Sequence, residues 1–176
     1  GGTGATAYAE AVGVYLAFAT DKSAVYWNSL CPWLNQSKNE IVGNSFSRQA
    51  LPMVWDYAEA NPFSDSGGNI VKQIDYIAKV LLFSTNATRV GFAQQADAAS
   101  HTMSKEKIVS TDPPYYDNIC YADLSDFFYV WLRHSLKPVF PELFTTLEVP
   151  KADELVASTY RHDSKERAEE IFLGGM

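Results

Sequence analysis

Apolar residues recur at helical spacing in four parts of the chain. Between Ala5 and Thr20, Tyr8, Val12, Tyr15, Leu16 and Ala19 mark one helix face, and Val14 and Phe18 make the other face apolar too, which predicts a helix buried on most sides. A second helical stretch reads Leu51-Pro52-Met53-Val54-Trp55-Asp56-Tyr57-Ala58 and is stopped by Asn61-Pro62. From Asn69, read as an N-cap, Ile70, Ile74, Ile77, Ala78 and Leu81 give an amphipathic helix. The cleanest pattern is Leu124, Phe127, Phe128, Trp131, Leu132 and Leu136, opened by Asp123 or Asp126 and closed before Pro138. Its aromatic row reads as core packing. A last helix is expected from Asp163 to Leu173, with Asp163 or Ser164 as cap.

The period changes to two in the middle of the chain. Val90, Phe92, Gln94 and Ala96 alternate with Arg89, Gly91, Ala93 and Gln95, predicting a strand that ends at Asp97. Lys107-Ile108-Val109-Ser110-Thr111 predicts a second strand, stopped by Pro113-Pro114 because proline cannot donate to a sheet ladder. Residues 31–37 read as a loop. The resulting plan is one segment, mainly helical over 1–85, with strand, strand-loop and helix over 86–138, and a loop and truncated helix over 139–176.

Composition narrows the class. With 176 residues, 47% hydrophobic and 20% charged, the chain has the apolar stock of a folded domain. Cys31 and Cys120 form no C-x-x-C pair, which excludes a disulfide frame and a cysteine-rich zinc site, and a reducing, cytoplasmic compartment is expected. His101, His134 and His162 have no ligand at metal spacing, so no metal is assigned. The longest apolar run, Ala11 to Ala19, is too short to span a bilayer, so no membrane partner is expected. The formal charge is −7, with 6 basic and 8 acidic side chains over 1–100 and 8 and 13 over 101–176. Neither half offers the clustered basic face of a nucleic-acid binder. Arg133, His134, Lys137, Arg161, His162, Lys165 and Arg167 make at best a loose basic set, for which a solvated surface is the simpler reading.

Candidate chemistry lies after the second expected strand, in Asp112-Pro113-Pro114-Tyr115. Average residue usage gives this tetrapeptide in a chain of this length about once in a thousand. A rigid strand-to-helix turn is the plain alternative. An acid, two prolines and an aromatic at the carboxyl end of a strand would sit where open α/β sheets bind ligands.

This segment resembles the D-P-P-Y loop of the AdoMet-dependent amino-methyltransferases. Tyr116-Asp117-Asn118, Tyr121-Ala122-Asp123-Leu124-Ser125-Asp126-Phe127-Phe128 and Arg48-Gln49-Ala50-Leu51-Pro52-Met53-Val54-Trp55-Asp56 narrow the likeness to large adenine-specific DNA methylases, some of which carry a zinc ribbon. The resemblance implies an α/β, class I, Rossmann-like fold with S-adenosyl-L-methionine (AdoMet) as cofactor and DNA as partner. It implies that Asp112 and the Pro113 carbonyl accept the two N–H groups of an adenine N6 amine, with Pro114 fixing the backbone and Tyr115 stacking on the flipped base. Asp97 would contact the adenine of AdoMet, an ordinary loop acid near a strand end being the other reading. Tyr116 and Asn118 would line the target-base pocket, a solvated Asx-capped turn being the other reading. Cytosine N4 or an RNA base are alternative targets, and a non-catalytic scaffold domain is the alternative class. Gly1-Gly2-Thr3-Gly4 follows no strand, so the glycine-rich AdoMet turn is expected upstream. The missing initiator Met and the abrupt end suggest a piece of a longer polypeptide, inactive alone and completed by the remaining parts of that polypeptide.

Overall fold

The computed structural model describes residues 2–38, 40–46, 48–84, 91–98 and 100–176. Its elements are α1 (Gly4–Ala24), β1 (Trp33–Asn35), β2 (Glu40–Val42), α2 (Ile70–Ser84), α3 (Tyr121–Leu136), a 3-10 turn (Pro141–Phe144), α4 (Thr159–His162) and α5 (Lys165–Gly175). The chain divides into two compact units, Gly1–Asn86 with Asp123–Val149, and Ala87–Ala122 with Pro150–Met176.

In the first unit α1 packs against α2. The helix expected over 5–20 forms and runs one turn longer, but it is not buried on most sides. Its buried residues are the small ones, Ala17, Ala19, Ser23 and Ala24, while Tyr8, Val12, Tyr15, Leu16 and Phe18 stay exposed. Close approach is easiest where side chains are short, so the alanine side faces inward. Around it Ala17, Leu136 and Phe144 form a core, joined by Val14, Tyr129, Leu132 and Phe140. Phe46 packs against both Phe127 and Phe128 at 5.2 Å, so two members of the aromatic row of α3 are used in packing, whereas Trp131 is exposed.

Asn69 caps α2 as its position suggests, its Oδ1 accepting the Lys72 N–H at 2.8 Å. Residues 51–58 form no helix. Their backbone is committed elsewhere: Tyr57 bridges Pro32, and the Ala58 N–H donates to the Cys31 carbonyl at 3.3 Å. That pairing extends the environment of a hairpin that replaces the loop expected over 31–37. In it β1 and β2 run antiparallel, with Trp33 opposite Val42 and Leu34 opposite Ile41. Gly43 closes the hairpin, its N–H donating to the Pro32 carbonyl at 2.7 Å, where an added Cβ would stand only 3.0 Å from Leu34 and Pro32.

The second unit is built on α5. Ser164 caps it by accepting the Arg167 N–H at 3.2 Å, and Ala157, Ala168 and Phe172 form its core with Leu155 alongside. Glu154 Oε1 accepts the Ala122 N–H at 3.0 Å, satisfying a free donor in the first turn of α3, and its Oε2 pairs with Arg161.

Neither central strand is present in the described residues. Arg89 and Val90 of the first lie outside the described residues; residues 91–97 are irregular and exposed, and so are 107–111. A strand exists only against a partner, and the one described sheet is the β1–β2 pair. No helix among the described residues is long and apolar enough to cross a membrane.

Candidate functional site

The segment Asp112–Tyr115 lies on the surface of the second unit. All four residues are exposed, and the Asp112 carboxylate is unpaired among the described residues. Two consecutive prolines remove two backbone donors and fix two φ angles, so the stretch offers carbonyl oxygens from a stiff frame. An open carboxylate, a proline carbonyl and the Tyr115 ring, 59% exposed, make a group able to accept two N–H bonds and stack on a planar partner.

Directly after it the chain turns. The Asn118 N–H donates to the Tyr115 carbonyl at 2.9 Å, and Tyr116 takes φ 45°, a left-handed conformation that non-glycine residues rarely adopt. Three contacts hold it there. The Tyr116 hydroxyl donates to Glu169 Oε1 at 2.7 Å, its ring meets Phe172 edge-on at 5.3 Å, and its carbonyl accepts the Ala157 N–H at 2.9 Å. Glu169 and Phe172 stand three positions apart on α5 and so share a face. The hydrogen bond that it donates to Glu169 holds the Tyr116 phenol in its protonated form and pushes it up to about 12, with desolvation and then the negative charge of Glu169 adding to the shift.

Tyr116 therefore anchors the loop to α5 with both its ring and its hydroxyl, the parts of the side chain expected to line a base pocket. Asn118 contributes its backbone N–H to the turn, and Asp117 and Asn118 are exposed. Asp97 sits in a local turn of its own. Its Oδ2 accepts the Ser100 hydroxyl at 2.5 Å and its carbonyl accepts the His101 N–H at 3.1 Å. Arg161 is no solvated helix start; its guanidinium donates to the Lys151 carbonyl at 3.0 Å and pairs with Glu154. Arg48, named in the resemblance, bridges Ala50 in irregular chain.

Glu169 and Phe172 were invisible as site residues in the sequence, where they lie in an ordinary amphipathic helix more than fifty positions beyond the motif.

No protein-family model, curated protein or solved structure matches this chain. The likeness to amino-methyltransferases rests on the motif residues themselves.

Proposed function

We propose that this chain carries the catalytic segment of an AdoMet-dependent methyltransferase acting on the N6 amine of adenine in DNA. The observation that carries the reading is Asp112-Pro113-Pro114-Tyr115, exposed and held by an anchored turn. The lone pair of an exocyclic amine is delocalised into its ring, so a catalyst must hold both N–H groups while the nitrogen becomes tetrahedral. Asp112 accepts one, the Pro113 carbonyl accepts the other, and Tyr115 stacks on the extruded base. In this reading the fold is class I, Rossmann-like α/β.

AdoMet supplies the methyl group in such enzymes, and the described residues do not fit it. The Asp97 carboxylate already accepts the Ser100 hydroxyl, and Gly4 stands in the first turn of α1. The reading therefore requires residues other than these to hold the methyl donor. That misfit also favours a second reading, a non-catalytic interaction piece.

The test is transfer of labelled methyl from AdoMet to DNA by the full product of the gene, with wild type compared against Asp112→Ala and Tyr115→Ala. Loss of incorporation by about a hundredfold or more in Asp112→Ala supports the assignment. Undiminished incorporation by both variants removes it, and no incorporation by wild type leaves the interaction reading. Digestion of the product distinguishes N6-methyladenine from N4-methylcytosine, and RNA substrate replaces DNA in a parallel arm.

A further inference from the structure

The first unit holds a cavity of about 680 Å³, within the range of small-molecule sites. It is lined from the end of α1, from both strands of the hairpin, from the 59–68 loop and from the start of α2. None of its lining residues belongs to 112–118, and its use does not depend on the methyltransferase reading.

Four aromatic rings face it: Tyr26, Trp27, Trp33 and Tyr76. Two of them are fixed by the fold. The Trp27 indole N–H donates to the Gly68 carbonyl at 3.2 Å, and the Tyr26 ring lies 3.7 Å from where a Cβ on Gly68 would stand. Gly68 has φ +84°, a value at which side chains are strained, so the turn that seats both rings is suited to glycine. Pre-set flat walls favour a flat ligand.

The charged groups narrow the choice. Glu40 and Glu59 line the cavity and disfavour an anion. Lys22 also lines the cavity and lies over the Tyr76 ring at 5.1 Å, so an ammonium group of the protein already occupies that ring and disfavours a second cation beside it. A neutral ring remains.

Gln73 supplies the polar wall. It is 3% exposed, and its Oε1 has no hydrogen-bond partner among the described residues. A buried amide oxygen without a donor is a standing cost that an N–H group brought to it removes. A primary amide both accepts and donates, and it matches the edge of a base that offers an amine beside a ring nitrogen.

We propose that this cavity binds a neutral purine-type base carrying an exocyclic amine, presented by a free nucleoside or by an unpaired nucleotide. The base stacks among the Tyr26, Trp27 and Trp33 rings, and Gln73 reads its edge.

The experiment titrates the chain with adenosine and, separately, with a short single strand of deoxyadenosine, following tryptophan fluorescence and heat. Saturable binding is expected, with adenosine monophosphate weaker than adenosine because its phosphate approaches Glu40 and Glu59. Trp33→Ala removes a half-exposed ring and Gln73→Met keeps length while removing the amide; each is expected to weaken adenosine binding about tenfold or more. Thermal midpoints of both variants show whether the fold persists, and Gln73→Met is expected to hold or raise it. Tighter binding of the strand identifies an unpaired nucleotide as the source, and binding of adenosine alone identifies the free nucleoside. The proposal is overturned if neither probe saturates, if both folded variants bind like wild type, or if tetramethylammonium saturates the site while adenosine does not.

Discussion

The Tyr116 hydroxyl donates to Glu169 Oε1 at 2.7 Å across 53 positions of sequence. A side chain on α5 thereby fixes the residue that follows the Asp112–Tyr115 segment, and it does so against an unfavourable backbone angle. Removing the hydroxyl in Tyr116→Phe is expected to loosen the turn. Amide exchange at Tyr115, Asp117 and Asn118 should rise several-fold while α3 amides are unchanged. In Glu169→Ala the phenol loses both its hydrogen-bond acceptor and its anionic neighbour, and an absorbance titration should show the group near 12 moving back toward 10. If the full gene product methylates DNA, Tyr116→Phe should lower kcat more than it changes KM, as a positioning residue does.

Arg161 and Glu154 form a largely buried pair, with side-chain exposures of 9% and 16%. Arg161→Ala strands the carboxylate and should cost about 2–4 kcal/mol. Glu154→Gln keeps an acceptor for the Ala122 N–H and should cost less. Urea midpoints of the two variants check the order.

Burial pushes the Asp21 carboxyl up to about 6 from 3.8, and its Oδ1 has no hydrogen-bond partner among the described residues. The folded state holds this proton more tightly than the unfolded chain does. The contribution is fully present below about pH 4 and is lost as pH rises through 6. Asp21→Asn should therefore stabilise the protein at pH 7, by about 1–2 kcal/mol once partial solvent exposure is discounted, with little gain at pH 4. Thermal melts of both proteins across that window test the sign.

Gly68→Ala should destabilise by about 1 kcal/mol, since alanine pays for a φ of +84° that glycine adopts freely. Gly67 is the control. A Cβ there meets nothing within 4 Å, so Gly67→Ala should shift the denaturation midpoint little.

Helices α2, α3 and α5 were legible in the sequence because period and caps agree locally, with Asn69 before α2, Ser164 before α5 and the Leu124-to-Leu136 pattern within α3, whereas the helix-like run 51–58 forms none and α4 carried no such signal. What failed was the partnering of extended chain. Residues 107–111 have strand-like composition yet occur in no sheet, whereas Trp33–Asn35 and Glu40–Val42, short and flanked by polar loop residues, found each other. Pairing is a property of two segments, and the sequence of one does not contain it. The same limit applies to the site. The motif Asp112–Tyr115 is readable from its composition, but its anchor on Glu169 and Phe172 depends on which helix face meets the turn.

The exposed run ending in the proline pair also bears on solubility. Ile108 is fully solvent-exposed and Val109 more than half so, in an irregular stretch whose composition favours cross-chain pairing. Lys105-Glu106-Lys107 precede it, and Pro113-Pro114 withhold the next amide hydrogens, so a foreign strand that docked there would find a ladder only a few rungs long. The proline pair thus limits how far such a docked strand could extend.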